Sequence, residues 1–541
     1  MERTDPLEPP DVLTTDRFGH TPALWFVLPL VIGGSLDLAL SPPPGTCLLS
    51  GLGCFLLTTW LITRSEKFFL LSFTLGTVLT SAAWHQLRVP PTTPLTFAHR
   101  YGEFSLLVEQ AHPKLKGLGW TGFGIITDRD DELFRRRVAV AAYGLCPTAG
   151  AEIKISGHLK PLPRQPTGFD RWVQSQGASL KLTGGKTLGT LIPASTFRQW
   201  CQHQQTYLEQ WWRTLPWADE EGGALLAATM LGRTALLPDE ARQAFMTTGT
   251  LHLFAISGLH IAGMAGALLW FTKKLRLPEI PSGIVILGLL WLYVEITGAS
   301  PSSLRAWMMA LVLWLGQRSE RSTSALQSLA LAGTVTLLIS PEALTDPGFQ
   351  LSYLAVLAII TLGANLSDAL TRPDLANRLT ARSATSGWQR QLRTVRDWLI
   401  TALCVSWSAT IAGLPVSLFF FGQTSLSGPV ANLILVPLSE IPLLCGLLST
   451  ACSFWAELLP LAAWCNGVAA ACLKIMTTVA NYLAQMPYTV WYFHVTELWH
   501  GASGALGVLL GCLALANNRR LSHLLGFPLI LLLGWLILNL Y

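Results

Sequence analysis

Residues 249–271 read GTLHLFAISGLHIAGMAGALLWF, and this stretch decides how the rest of the chain is interpreted. The run is long and apolar enough to cross a bilayer as one helix. Its first half nevertheless carries histidines and a serine beside glycines, and polar groups at membrane depth are costly unless they face protein, water or a ligand. Close packing of small residues is the structural alternative. The pattern favours a functional lining formed by His252, Ser257, Gly258 and His260.

The composition of the chain is that of a polytopic membrane protein. Of its 541 residues, 51% are hydrophobic and 13% are charged. Soluble proteins carry roughly twice that charged fraction. The 21 tryptophans suit the aromatic belts found at membrane interfaces. The acidic N-terminus lacks an apolar core, so we do not expect a cleaved signal peptide there.

Apolar segments predict about thirteen membrane crossings by α-helices. Basic residues concentrate in the links that would then face the cytoplasm, and this places the N-terminus inside and residue 87 outside. The predicted spans are 23–40, 46–63, 68–86, the central stretch, 281–298, 300–316, 324–340, 348–366, 398–420, 427–450, 458–482, 501–517 and 523–541.

Residues 87–195 have a different pattern, which predicts a small all-β domain. Apolar and polar residues alternate in five segments, among them EFSLLVEQ and AEIKISGHLK, as in short antiparallel strands. Between residues 87 and 200, 15 Lys and Arg stand against 8 Asp and Glu. A basic β-module of this size suits a polyanion, although an ordinary solvated surface would have the same charge. The candidate contacts are Arg135, Arg136, Arg137, Lys154, Lys160, Trp120 and Phe123.

The link to the central stretch, residues 196–247, is predicted to lie at the membrane surface. Residues 196–218 read as an amphipathic helix with four tryptophans. The apolar run in 222–246 is too short to span and predicts an interfacial or re-entrant segment. Cys146 and Cys201 are the only cysteines outside the predicted spans, and we expect them to pair in an oxidising compartment.

The last part of the chain, residues 248–541, reads as the main membrane domain, with polar residues inside several spans. Such residues face a bundle interior or a path through it, and nearby prolines break helices where a neighbour or a cavity satisfies the freed carbonyls. A structural Glu295–Arg305 pair is the alternative to a role in a path. The candidate path residues here are Glu295, Arg305, Asp346, Gln350, Gln423 and Asn432.

Four motifs in order resemble those of the ComEC competence proteins, which are inner-membrane channels for single-stranded DNA in natural transformation. They are HLFAISGLHIAG, YVEITGASPSSLRAWMMAL, SPEALTDPGFQLSYLAVL and FFFGQTSLSGPVANLILVP. Upstream, PTGFDRWVQSQGASLKL resembles the end of the family's OB-like extracellular domain. The resemblance implies a polytopic α-helical membrane protein in the inner membrane, with residues 1–86 as its first helices and an OB-like domain outside.

The resemblance also implies partners. These are single-stranded DNA, a DNA receptor outside, the lipid bilayer and a cytoplasmic helicase-like motor, since no Walker-type phosphate loop occurs in the sequence. Many members continue into a metallo-β-lactamase-like domain, whose His-x-His motif is missing from this sequence. We therefore expect a short form without a metal site or other cofactor, served by a separate nuclease.

Two other functions compete with a DNA channel. Ser257 and His260 are one helical turn apart, so an intramembrane hydrolase with a serine nucleophile is geometrically feasible. The surrounding residues do not form a Gly-x-Ser-x-Gly motif, and no acid that would orient the histidine is evident. A small-molecule or lipid transporter with an accessory β-domain is the second alternative.

Overall fold

In the computed structural model, the chain begins with three helices, continues into a β-barrel and then forms a longer series of helices. The structure describes residues 23–40, 42–61, 66–89, 99–113, 119–129, 133–163, 169–214, 219–318, 324–371, 387–486, 489–492 and 504–512. The predicted span 523–541 lies outside these residues.

The first three predicted spans are confirmed as helices α1 (Leu24–Leu40), α2 (Pro44–Leu61) and α3 (Glu66–Arg88). Helices α1 and α3 run parallel, because Ser81 Oγ donates to the carbonyl of Leu30 while His85 contacts Asp37 further along both helices. The His85–Asp37 pair is buried, with 2.7 Å between Nδ1 and the carboxylate.

The alternating segments of the β-domain form a closed five-stranded barrel. Its strand order is β1–β2–β3–β5–β4, and only the β3–β5 pair is parallel. Every second side chain faces inward, and these apolar residues fill one core. The strands are β1 (Arg100–Pro113), β2 (Gly119–Ile126), β3 (Arg137–Tyr143), β4 (Glu152–Pro161) and β5 (Leu180–Ile192).

A short helix, α4 (Phe169–Ser175), lies between β4 and β5 on the outside of the barrel. Its Val173 is buried in a small cluster with Phe123 of β2 and Ala178. Since α4 is flanked by two paired strands and packs on a third, it is fixed to the barrel.

The link after the barrel contains α5 (Thr196–Thr214), α6 (Glu220–Leu231) and α7 (Asp239–Thr247). The predicted amphipathic helix is confirmed as α5, whose Cys201, Gln205 and Trp212 are buried. The next segment contains α6, and nine of its twelve residues are buried in the protein, so the interfacial or re-entrant placement stays a prediction. A run too short to span a membrane is here a core helix.

The membrane domain follows as a bundle of helices. Five helices of the described part are long and apolar enough to cross a membrane: Glu279–Ile296, Pro347–Thr371, Trp388–Phe421, Gly428–Cys452 and Ala456–Ala484. The elements are α8 (Gly258–Lys274), α9 (Glu279–Ile296), α10 (Pro301–Arg318), α11 (Ala325–Ile339), α12 (Pro347–Ala358), α13 (Ala364–Thr371), α14 (Gly387–Phe421), β6 (Gln423–Ser425), α15 (Gly428–Cys452), α16 (Leu459–Ala484) and β7 (Val490–Tyr492). One core cluster joins α6 and α7 to α8, α9, α15 and α16.

Candidate functional site

The central stretch is not the single helix that its apolar run predicted. A 3-10 turn, Leu251–Phe254, ends at an extended Ala255, and α8 begins only at Gly258. Ser257 sits at the N-cap of α8 with extended backbone angles, and its Oγ lies 3.0 Å from His260 Nδ1. Serine is a preferred N-cap because its short side chain reaches the backbone of the first turn. The break is therefore encoded by Ser257, Gly258 and His260 together.

The break orients the two histidines differently. His252 and Gly258 are exposed, Ser257 is half-buried, and His260 is only 2% exposed. The backbone N–H of Ser257 donates to His260 Nδ1 over 3.4 Å, which assigns the ring proton to Nε2. That Nε2 is buried and has no hydrogen-bond partner among the described residues. His260 thus supports the break from behind, and the exposed surface belongs to His252 and Gly258.

Two glycines allow the break to pack against its neighbours. Gly232, at the end of α6, has φ of +66°, and a Cβ there would lie 2.8 Å from a side-chain carbon of Ile256. Gly249 has φ of +71° and faces Ser425 of β6 at 2.9 Å from an ideal Cβ. The turn that contains Gln423 therefore lies against the segment that leads into His252.

A second polar cluster joins α10 to the start of α12. Arg305 is 3% exposed, lies 3.8 Å from Asp346 and donates to the carbonyl of Gly348 over 2.9 Å. Asp346 also caps α12 by accepting from the backbone N–H groups of Gly348 and Phe349. Gln350 donates to the carbonyl of Leu344 and stays within the same turn.

The structure does not pair Glu295 with Arg305, so that alternative is wrong. Glu295 lies 3.5 Å from Arg198 of α5. One turn away, Phe197 stacks on Trp291 with 5.5 Å between ring centroids. Glu295 thus helps to fasten α5 to α9, because α5 runs alongside that helix.

The predicted path residues therefore fall into separate groups. His252, Ser257, Gly258 and His260 form one group, with Gln423 beside it, and Arg305, Asp346 and Gln350 form another. Asn432 belongs to neither, since its Nδ2 donates to Ser406 Oγ of α14 over 3.0 Å. Among the described residues, no group of three or more His, Cys, Asp or Glu side chains could hold a metal ion.

The two aromatic residues predicted to stack on bases are both buried. Trp120 is 0% exposed and donates through Nε1 to Thr187 Oγ1, while Phe123 is 6% exposed. The prediction is wrong because aromatic character alone does not tell which face of a strand a residue occupies. The alternation of side chains along β2 puts Trp120 in the barrel interior, whereas Phe123 faces outward and is covered by Val173 and Trp172 of α4.

Several of the predicted basic contacts are already paired with protein groups. Arg137 contacts Glu109 over 2.5 Å and the carbonyl of Gln176. Lys154 pairs with Glu103 over 2.8 Å, and this hydrogen bond raises the pKa of the lysine. Arg136 is half-buried, whereas Lys160 and Arg135 are exposed, with Arg135 in a turn over the ring of Phe134.

The sequence interpretation missed an exposed aromatic patch on β1 and β4. Tyr101 is 65% exposed and lies 4.8 Å from the ring of His158, its register partner, and His99 lies 4.8 Å from the same ring. Lys160 and Lys186 are exposed on the same outer face of the sheet. The sequence could have predicted this patch. Phe104, Leu106 and Val108 of β1 are apolar and face inward, so the alternation of a strand turns Tyr101 outward.

The predicted disulfide is not formed, because Cys146 and Cys201 are both free thiols. Gln202 hydrogen-bonds to Thr148, so this side of α5 faces the segment that contains Cys146. Cys201 precedes Gln202 by one residue and therefore points about 100° away around the helix, towards Glu295. Burial raises the pKa of Cys146 to about 11, which keeps it protonated.

Comparison with known families matches the competence protein family over residues 229–518, which is more than half of the chain. The matched region begins in α6 and contains both polar clusters of the membrane domain. No solved structure gives a significant match.

Three curated relatives each match a part of the chain. ComE operon protein 3 of Bacillus subtilis (strain 168) is 28% identical over 269 residues, or 48% of this chain and 30% of that protein. Competence protein ComA of Neisseria gonorrhoeae is 28% identical over 235 residues, 41% of this chain and 30% of that protein. The uncharacterized protein YcaI of Escherichia coli (strain K12) is 27% identical over 269 residues, 46% of this chain and 31% of that protein. The matched regions thus span about a third of each relative's length. Because the family match covers more than half of its residues, this chain belongs to the competence protein family.

Proposed function

We propose that this protein is the inner-membrane channel through which single-stranded DNA passes into the cytoplasm during transformation. The observation that carries the proposal is the helix break at residues 255–257. It presents an exposed histidine, His252, and an exposed glycine, Gly258, beside a buried imidazole N–H on His260 that has no acceptor among the described residues.

The chemistry of a DNA strand explains why such a break is useful. Each phosphate carries a negative charge, and a membrane path for it needs hydrogen-bond donors and water. Non-helical backbone at membrane depth is tolerated only where protein or a water-filled cavity surrounds it. The start of α8 at Gly258 also points a positive helix end towards the break, beside the exposed ring of His252, whose Nδ1 donates to the carbonyl of Gly249 over 3.1 Å.

The outer face of the barrel is our candidate for the place where DNA is held before passage. Single strands bind to proteins by stacking bases on aromatic rings beside a basic groove. Tyr101 and His158 supply such rings, with Lys160 and Lys186 beside them. Lys160 of β4 and Lys181 of β5 are register partners on neighbouring strands. Lys181 lies 5.1 Å from the ring of Phe169, which is exposed on α4. This row leads from the stacked rings towards the membrane domain.

The wider arrangement follows from the same proposal. Residues 1–86 form the first membrane helices, 87–195 an OB-like domain outside the membrane, 196–247 the link, and 248–541 the channel, with about thirteen crossings and a cytoplasmic N-terminus. The closed five-stranded order of the barrel supports the OB-like assignment. We expect no cofactor. A receptor would deliver DNA outside, a helicase-like motor would pull it inside, and a separate nuclease would degrade the other strand.

One observation favours a second candidate function, the intramembrane hydrolase. Ser257 Oγ lies 3.0 Å from His260 Nδ1, as a serine nucleophile and its base would. The same two residues form the capping box of α8, and His260 Nε2 has no carboxylate partner within the described residues. A cap therefore accounts for the geometry without catalysis. A small-molecule or lipid transporter would share the path but would have no use for the stacked rings on the barrel.

The proposal is tested by uptake of labelled DNA in a strain that lacks the gene, complemented with the wild-type chain. We expect the deletion to abolish the passage of DNA into the cytoplasm and to leave DNA on the outer surface. Uptake equal to that of the parent strain would contradict the proposal.

The barrel face is tested with the purified full-length protein. We expect Tyr101→Ala to weaken binding of a labelled single-stranded oligonucleotide about tenfold, because one base–aromatic stack contributes about 1–3 kcal/mol. Tyr143→Ala is the matched control, since Tyr143 is also 65% exposed but lies on β3. Lys160→Gln should reduce the salt dependence of binding. Equal binding by all variants would exclude this face.

A further inference from the structure

The barrel is fastened to the membrane domain through one edge of α4. The guanidinium of Arg171 donates to the carbonyl of Phe419 and lies 4.4 Å from the centre of its ring. Thr345 Oγ1 donates to the carbonyl of Ser175 over 3.1 Å. Gln176 Nε2 donates to a carboxylate oxygen of Asp346 over 2.7 Å. Three separate contacts thus join a barrel helix to the ends of α12 and α14.

The same segment is bound on its other side to the barrel wall. Arg137 of β3 donates to the carbonyl of Gln176, and Lys181 of β5 pairs with Asp170. The ring of Trp172 lies 5.6 Å from that of Phe123. Because polar and apolar contacts both hold it, α4 transmits the position of the barrel without a flexible link.

Asp346 connects the contacts between α4 and the membrane domain to the buried guanidinium of Arg305. Its carboxylate accepts from Gln176, caps α12 through Gly348 and Phe349, and faces Arg305 at 3.8 Å. Arg305 in turn donates to the carbonyl of Gly348. A continuous line of polar contacts therefore runs from the barrel wall to a cation inside the membrane domain.

We propose that α4 is a latch that seats the barrel on the membrane domain, with Gln176 as a positioning residue that acts through Asp346 on Arg305. The role in passage rests on the proposed function, but the docking itself does not. When the barrel is held in place, the DNA strand bound to it enters the membrane domain at a fixed point beside Phe169 and Phe419. A barrel on a flexible tether would have to find that point for every DNA molecule.

Docking is tested without DNA by the protection of residue 345. In a Thr345→Cys protein, the carbonyl of Ser175 covers the new thiol, so a membrane-impermeant thiol reagent should label it slowly. Mass spectrometry of the peptide that contains residue 345 separates this thiol from the native cysteines. We expect Gln176→Ala, introduced into the Thr345→Cys protein, to increase the labelling rate about tenfold. Loss of a hydrogen bond to a charged group changes the docking equilibrium by about a factor of ten or more.

Matched variants keep the labelling test specific. Gln174→Ala changes the same type of side chain two residues earlier, in α4, and no hydrogen bond of the Gln174 side chain to the membrane domain is seen in the described residues. It should label like the parent. Gln176→Lys retains a donor towards Asp346 and should keep the protection, whereas Gln176→Glu places two carboxylates together and should lose it. Labelling that is equal in all four variants would overturn the latch.

Uptake then tests the consequence for transport. At equal membrane abundance, Gln176→Ala and Gln176→Glu should bind DNA at the surface normally and admit about tenfold less of it, and Gln176→Lys should restore passage. Normal passage in the variants that lose protection would overturn the positioning role. If protection responds as expected but the wild-type chain admits no DNA, the latch stands and the proposed function fails.

Discussion

The segment around the helix break, residues 252–260, and the Arg305–Asp346 cluster both put polar groups among apolar helices, but the two places satisfy these groups to different degrees. In the cluster, each carboxylate oxygen of Asp346 accepts a hydrogen bond and Arg305 has two partners, with its buried Nε left without one among the described residues. At the break, His252 is exposed and His260 keeps a buried N–H without an acceptor in the described residues.

This difference separates two uses of buried polarity. Groups that satisfy one another fix a fold, since removing one partner leaves the other unpaired and buried. Groups whose hydrogen-bonding capacity is unused can bind something that passes. We therefore propose that the break contacts the DNA strand, and that the Arg305–Asp346 cluster holds the membrane domain and the barrel seated on it.

The largest effect should come from Arg305→Ala. Loss of the buried cation leaves Asp346 without its ion-pair partner, which costs about 3–5 kcal/mol for a buried pair. We expect a strong fall in membrane abundance, measured by quantitative immunoblotting. Arg242→Ala breaks an exposed pair with Asp239 and should leave abundance nearly unchanged. If both variants reach the same level, the cluster does not hold the fold.

The second effect should be functional. We expect His252→Ala to keep normal abundance and to lower DNA uptake per channel about tenfold or more, because the exposed polar ring at the break is lost. His203→Ala is the control, since His203 is exposed on α5, away from the break. If the His252 variant had reduced abundance but unchanged uptake per channel, the helix break would have a structural role, and it would not differ in role from the Arg305–Asp346 cluster.

A smaller effect is expected at the cap of α8. Ser257→Ala removes the N-cap hydroxyl, which costs about 1 kcal/mol, and should lower the thermal unfolding midpoint slightly. Ser257→Thr keeps a hydroxyl and should unfold like the parent. Uptake per channel should survive in both variants. Complete loss of function in Ser257→Ala at normal stability would instead favour the hydrolase.

The smallest effect concerns Cys146, at the seam between the barrel and α5. Its raised pKa, about 11 against 9.0 for a free thiol, lowers the thiolate fraction at pH 8 about a hundredfold. Alkylation should therefore be slow at pH 8 and speed up as the pH rises towards 11, followed by mass spectrometry. A disulfide between Cys146 and Cys201 in the purified protein would contradict both the orientation of α5 and this reactivity.

The sequence by itself determined where most elements lie. Apolar runs bounded by charges predicted α1 to α3 and the later spans of the described part, because a bilayer fixes the length of a crossing helix. Alternation predicted all five strands of the barrel, since a strand with one buried face must repeat every second residue. The motif around Ser257 and His260 could also have been read as a helix start, because a short polar side chain at that position satisfies the first turn.

Only the tertiary structure decided which of these residues meet. Gln176 and Asp346 are separated by 170 positions, and so are Ser175 and Thr345, yet each pair is in contact. Glu295 forms its ion pair with Arg198 and not with Arg305, which is closer in sequence. Partners so far apart are chosen by how helices and barrel pack, and a linear pattern carries no information on that choice. The same holds for burial, because Phe123 occupies an outward position on β2 and only the packing of α4 covers its ring.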